Sequence, residues 1–149
     1  MRREKNYETA DSGLHEECGV FGAYDFDGED VSSSIYYALF ALQHRGQQSC
    51  GIAVTDTKGV CGVQTKKGMG LVSEVFQEEM LDELCGNLGV GHVQYSADKG
   101  SNVANAQPLV INYVKGTLAI SYNGSLVNAA QLKHELEYTG AIFQTSNDS

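Results

Sequence analysis

Residues 18–26 read Cys-Gly-Val-Phe-Gly-Ala-Tyr-Asp-Phe, and nothing before them has the same character. The seventeen preceding residues, Met1 to Glu17, are charged and polar with no apolar periodicity. At Cys18 a small, apolar, glycine-bearing strand begins. If residues 1–17 form a removable leader, Cys18 carries both a thiol and a free α-amino group. Those two groups suffice for a nucleophile and its own base. An α-amine titrates at about pH 7.7–8.0 and a thiol at about 8.5, close enough for a proton to pass between them. The competing reading is a buried core cysteine on an ordinary first strand, and position alone favours it.

Working outward, residues 31–43 predict a helix, since Ile35, Leu39 and Leu42 recur near helical spacing. The run HRGQQSCG is a polar, glycine-containing turn. Residues 51–56 and 60–68 predict two strands around Thr57-Lys58-Gly59. Residues 72–86 predict one helix, opened by Ser73 and ended by Gly86. A strand is expected over 89–96, then a loop over 97–107, then strands LVINYV and LAISYN around Lys115-Gly116. Residues 126–140 predict a helix stopped by Gly140, and AIFQTS begins another strand. Strand pairs alternating with helices point to an α+β fold. The last strand has no successor to pair with, so the chain is expected to be part of something longer.

Composition sets limits. A chain of 149 residues with 42% hydrophobic content can build one core. Its net charge of −9, with no basic cluster, argues against a nucleic-acid surface. No apolar run reaches membrane-spanning length and the leader lacks a secretory signal, so a soluble, cytoplasmic chain with no membrane partner is expected. Cys18, Cys50, Cys61 and Cys85 form no CxxC pair and the four histidines are scattered, which speaks against a metal site within the chain. Disulfides are not expected. Cys50, Cys61 and Cys85 read as small buried hydrophobes.

Three further places can carry chemistry. Tyr122-Asn123-Gly124-Ser125 is an ordinary turn or an oxyanion hole, in which the Asn123 amide and the Gly124 N–H donate. Arg45, in QHRGQQS, is a solvated charge, a helix cap or an ion-pair partner. Asp148 is by default a loop acid.

Taken together, ECGVFGAYD, ALQHRGQQSCGIAV, KGMGLVSEVF, GVGHVQYSADKGSNVANAQPL and ISYNGSLVNAAQLKHELEYTGAIFQTSNDS resemble, in order and spacing, the glutaminase domain of the amidophosphoribosyltransferase family. The resemblance covers about Leu14 to Ser149. It implies a four-layer αββα N-terminal-nucleophile fold, present here only as its N-terminal portion. It implies a propeptide at 1–17 and a class II glutamine amidotransferase domain from 18 to 149, with the phosphoribosyltransferase domain absent. It implies that self-processing exposes Cys18, whose thiolate attacks the glutamine side-chain amide while Asn123 and Gly124 hold the oxyanion. The released ammonia would serve the first committed step of purine synthesis on phosphoribosyl pyrophosphate, bound by the missing domain. By the same resemblance Arg45 lies near the active site, Tyr95 lies beside the glutamine pocket and Asp148 holds the substrate α-amino group. The full-length protein is expected to be a homo-oligomer. Magnesium and, where later cysteines supply ligands, a [4Fe–4S] cluster are implied for it; no cofactor is implied within this chain.

One position departs from the pattern. The family reads GHVRYST, with the arginine on the glutamine α-carboxylate; here residue 94 is glutamine. A neutral amide cannot replace a bidentate charged pair. Losing a charged partner at a partly buried site costs about 2–5 kcal/mol, or about 30-fold to several thousand-fold in affinity. Lys99 is a candidate substitute cation. Ser125 stands where the family often has asparagine. Gln94 supports a second reading, a degenerate glutaminase-like module that binds a partner or regulates. A third places the domain on another class II amidotransferase such as glucosamine-6-phosphate synthase; the long leader and His44 oppose it.

Overall fold

The computed structural model describes residues 17–59, 61–95, 102–124 and 126–143. Six residues after Cys18 form β1, Gly19–Tyr24, whose burial alternates because one face meets the core and the other does not. Helix α1, Ser32–Leu42, begins where the Asp30 carboxylate accepts from the Ser32 N–H and hydroxyl. That carboxylate also accepts from the Gly86 N–H at 2.9 Å, tying the helix start to the far side of the sheet.

Strands β2, Ser49–Thr55, β3, Gln64–Met69, and β4, Leu88–Gln94, join β1 in one antiparallel sheet of order β1-β4-β2-β3. Strand β2 pairs Ser49 with Gln94 and Thr55 with Leu88. β2 is buried along almost its whole length because it is central and covered on both faces. On one face α1 packs Ile35 and Leu39 against Ile52, Val54 and Val93. The helix lies so close that a Cβ on Gly91 would fall 2.6 Å from the Ile35 Cγ2, so a glycine is required there. Burial of apolar surface, worth about 25 cal/mol per Å2, is the main stabilising term in this layer.

The other face is met by residues 106–109 and Tyr122. The Lys67 ammonium donates to the Ala106 carbonyl at 2.7 Å, and burial lowers that lysine's pKa. Two further strands, β5, Leu109–Tyr113, and β6, Gly116–Ile120, form a separate antiparallel hairpin. The arrangement is α+β, as the sequence indicates.

Five local expectations are corrected. The single helix over 72–86 is two short ones, α2, Val72–Val75, and α3, Glu78–Asp82. Phe76 turns extended between them, which buries its ring in the core with an edge on Tyr36. Tertiary packing thus overrides helix propensity. The start is capped by Glu74, whose carboxylate accepts from the Leu71 N–H at 2.9 Å, not by Ser73. Strand β3 starts at Gln64, later than expected, and β6 spans 116–120, not 118–123, because Tyr122 leaves the hairpin to meet the larger sheet. Residues 141–143 are not in a strand; the remainder of that element lies outside the described residues. Before them runs helix α4, Ala129–Tyr138, with no buried residue.

The far end of the sheet is held by Asn87. Its side chain accepts from the Thr57 N–H at 2.9 Å and the Thr57 hydroxyl at 3.0 Å, and donates to the Asp25 carbonyl at 2.8 Å. Asp25 itself gathers the N–H groups of Asp27, Gly28 and Glu29. These bonds, that from Glu29 foremost, hold its carboxyl below the usual carboxylate range.

Candidate functional site

Cys18 sits at the start of β1, half-buried, at the end of the sheet where β4 finishes. The antiparallel register places Gly19 opposite Val93, so the chain beyond Gln94 passes beside the cysteine. The Tyr95 N–H donates to the Cys18 sulfur at 3.3 Å, and the thiol donates back to the Tyr95 carbonyl at 3.5 Å. It is therefore the backbone of Tyr95 that meets the thiol, while its side chain is exposed.

Two side chains converge on the Cys18 carbonyl oxygen. Arg45 donates from Nε at 3.3 Å, and Asn123 donates from its side-chain amide at 3.0 Å. Arg45 is delivered by a turn of 3-10 helix, Gln43–Arg45, at the end of α1. That turn is pressed on β4: a Cβ at Gly46 would fall 2.6 Å from the Gln94 carbonyl carbon, so only glycine fits. Gln43 braces it, donating to the Gly46 carbonyl at 2.6 Å and accepting from the Val72 N–H at 2.5 Å. The open reading of Arg45 as solvated charge, cap or ion-pair partner thus gains a fourth contact, the backbone of the nucleophile candidate.

Asn123 arrives on the segment after β6. That segment is fixed upstream, where the Tyr122 carbonyl accepts from His92 Nε2 at 3.1 Å and the Tyr122 N–H donates to the Gln107 side chain at 2.6 Å. His92 is fully buried. Burial pushes its pKa down to about 4, with the Tyr122 carbonyl opposing. The ring is therefore neutral near pH 7, with its proton on Nε2. Gly124 follows, close under the Tyr122 phenol: a Cβ there would lie 2.9 Å from that hydroxyl.

Gln94 ends β4. Its Oε1 accepts from the Ser49 hydroxyl at 2.6 Å, a strand partner in β2. The amide is thereby oriented with its oxygen inward. Ser49, Gln43 and His92 position this site, yet no sequence motif singles them out as site residues; all three lie inside runs that carry the family resemblance. Asp148 and Lys99 lie outside the described residues, as do residues 1–16.

Among the described residues no three or more His, Cys, Asp or Glu side chains are placed to hold a metal ion. Cys50 is buried, as its sequence context indicates, and burial with the nearby Glu74 charge pushes its thiol up to about 12. The other two cysteines depart from expectation. Cys61 is only partly buried and Cys85 is exposed, because both lie on connections at the end of the sheet and not under α1. Among the described residues no helix is long and apolar enough to cross a membrane.

Residues 93–149 match the family described as glutamine amidotransferase domain. The chain is 48% identical over 132 residues to the amidophosphoribosyltransferase of Methanocaldococcus jannaschii, covering 89% of this chain and 27% of that protein. It is 46% identical over 138 residues to the amidophosphoribosyltransferase of Bacillus subtilis, covering 92% and 28%. Its backbone superposes on the glutamine phosphoribosylpyrophosphate amidotransferase of B. subtilis complexed with ADP and GMP with a TM-score of 0.77, at 43% identity over 87% of this chain and 27% of that one. A second structure, described as the allosteric regulatory enzyme of purine biosynthesis, gives a TM-score of 0.78 at 44% identity, again over 87% and 27%. The chain thus spans about 27% of the length of the relatives it matches. At this identity the likeness shows the fold, the α+β N-terminal-nucleophile architecture of the glutaminase domain.

Proposed function

We propose that this chain, similar over nearly nine-tenths of its length to amidophosphoribosyltransferases, is the nucleophile-bearing portion of a glutamine-hydrolysing domain that supplies ammonia to purine synthesis. The observation that carries the reading is the convergence of Tyr95, Arg45 and Asn123, three residues remote in sequence, on Cys18.

On this reading, removal of residues 1–17 frees the Cys18 α-amine, which takes the thiol proton. The thiolate attacks the side-chain amide carbon of glutamine. A C–S bond forms, and the carbonyl oxygen becomes an oxyanion. Asn123 carries two amide hydrogens. One holds the Cys18 carbonyl, and the second, with the Gly124 N–H, receives the oxyanion. The C–N bond breaks as the α-ammonium returns a proton to the leaving ammonia. Water then cleaves the γ-glutamyl thioester, releasing glutamate and restoring the thiol. Arg45 keeps the Cys18 backbone in place for both steps. Gln94, Tyr95 and Asp148 are assigned to the glutamine pocket.

The partner reaction, displacement of pyrophosphate from phosphoribosyl pyrophosphate, is assigned to the remainder of the longer protein. So are magnesium, any [4Fe–4S] cluster and homo-oligomer formation, and the place of action is taken as the cytoplasm. The second reading, a module that keeps the fold without the chemistry, draws on one observation: Gln94 is uncharged and its oxygen is already engaged by Ser49.

Incubation of the full-length protein with an electrophilic glutamine analogue, followed by peptide mass mapping, tests the proposal. Labelling confined to Cys18, with the mature sequence starting at that residue and glutamate released from glutamine, is expected. Glutamine turnover by a protein that retains residues 1–17, or label on Cys50, would overturn it. Absence of both label and turnover would establish the binding module instead.

A further inference from the structure

The sheet has a second end. Strand β2 runs from Ser49, beside Gln94, to Thr55, about 20 Å away along the strand. At that remote end lies a cavity of about 320 Å3 whose walls include Asp30, Asp56, Lys58, Cys61, Cys85 and Asn87. Nothing in the glutaminase reading uses these residues.

The two cysteines come from different connections, 61–63 before β3 and 83–87 before β4. Both are tied to the same hairpin. The Thr55 hydroxyl donates to the Cys61 carbonyl at 3.4 Å, and the Cys85 N–H donates to the Gln64 side chain at 2.9 Å. Thr55 ends β2 and Gln64 opens β3, so these bonds hold the two backbones side by side. Both cysteines line the wall of this one cavity. Cys85 is exposed, which leaves its side chain room to turn and a peroxide room to reach it.

We propose that Cys61 and Cys85 form a reversible dithiol–disulfide site, oxidised by hydroperoxides and separate from the Cys18 nucleophile. Cys85 reacts first. Its thiolate attacks one peroxide oxygen: the S–O bond forms, the O–O bond breaks, and the departing hydroxide takes up the thiol proton as water. The product is a sulfenic acid. The Cys61 sulfur then attacks the sulfenic sulfur. The S–S bond forms, the S–O bond breaks, and a second water leaves with the Cys61 proton. Two thiols and one hydrogen peroxide give one disulfide and two waters, with two electrons passing from sulfur to oxygen.

The surroundings fit that order. The charge of Cys85, then burial and the Asp56 carboxylate, hold the Cys61 thiol protonated, which suits the resolving partner. Disulfides within reducing compartments are usually transient, so an exposed pair of this kind is one that a dithiol reductant reopens. The bridge would close residues 61–85 into a ring and fasten the segment that carries Gly86 and Asn87 to the base of β3.

The test uses the full 149-residue chain, treated with hydrogen peroxide, alkylated, digested without reductant and mapped by mass. A peptide pair linked through Cys61 and Cys85 is expected, reversed by dithiothreitol, formed equally in Cys18→Ala and accompanied by a rise in melting temperature. Cys61→Ser is expected to leave Cys85 trapped as a sulfenic acid that a dimedone probe captures. The same treatment in concentrated urea serves as the control for position. A link no more frequent in the native chain than in urea would overturn the proposal. So would a pair still reduced after Cys18 has oxidised, or a dominant bridge to Cys18, to Cys50 or between chains. None of these outcomes depends on glutamine turnover, so the proposal stands or falls apart from the glutaminase reading.

Discussion

Asn123 donates its side-chain amide to the carbonyl oxygen of Cys18 at 3.0 Å, across 105 residues of sequence. This bond joins the segment after β6 to the first residue of the proposed mature chain. On the proposed glutaminase reading, Asn123 braces Cys18 through this bond and offers its second amide hydrogen to the oxyanion.

Asn123→Ala in the full-length protein is expected to lower kcat for glutamine hydrolysis by about 100- to 1000-fold, the usual cost of one oxyanion donor. Ammonia-dependent synthesis should persist, since it bypasses the thioester. Steady-state kinetics with each nitrogen source checks this. A loss in kcat below about tenfold would leave Asn123 as a brace only.

Gln94→Arg is expected to lower KM for glutamine at least about tenfold with a smaller change in kcat. A charge on the remote α-carboxylate strengthens ground state and transition state alike. In the native chain the Ser49 hydroxyl already occupies the Gln94 oxygen, so the amide can only donate through nitrogen. An unchanged KM would show that another cation, Lys99 among the candidates, already meets the carboxylate.

His92 predicts a pH dependence of stability. Its pKa falls from 6.5 in the unfolded chain to about 4 in the folded one. Between those values the unfolded state binds the extra proton, so stability is whole above about pH 6.5 and declines as pH falls toward 4. The full decline is about 3 kcal/mol, since a tenfold difference in proton affinity between the two states is worth about 1.36 kcal/mol. Urea titrations from about pH 7.5 to about 4.5 should show it, and a His92→Gln chain should lack most of it. The Asp25 contribution has the same sign but lies lower, since its depressed carboxyl must be protonated below the ordinary Asp value. Identical slopes for the two chains would remove His92 as the cause.

Cys50 should be the slowest thiol to alkylate. Its pKa is raised to about 12 by burial and by Glu74, so little thiolate exists near pH 8. Timed iodoacetamide labelling with mass mapping should find Cys18 and Cys85 modified well before Cys50, and all four cysteines equivalent in urea. Early native labelling of Cys50 would contradict its placement under α1.

Much of the fold is legible in the chain itself. The spacing of Ile35, Leu39 and Leu42 marks α1, and the apolar run after Cys18 marks β1, because local periodicity reports which face a residue turns inward. The order of motifs points to the glutaminase domain, and with it to Cys18, Arg45 and Asn123. The helix expected over 72–86 breaks in two because its propensity is local, whereas the burial of Phe76 that interrupts it depends on Tyr36, about forty residues earlier. Nor does sequence alone reveal that Ser49 holds Gln94, that Asn87 locks the far end of the sheet, or that Cys61 and Cys85 share one cavity. Each of those facts joins residues that only strand pairing brings together. The residue types at these positions are ordinary, so sequence by itself determines which groups are present, and register and packing decide which of them meet.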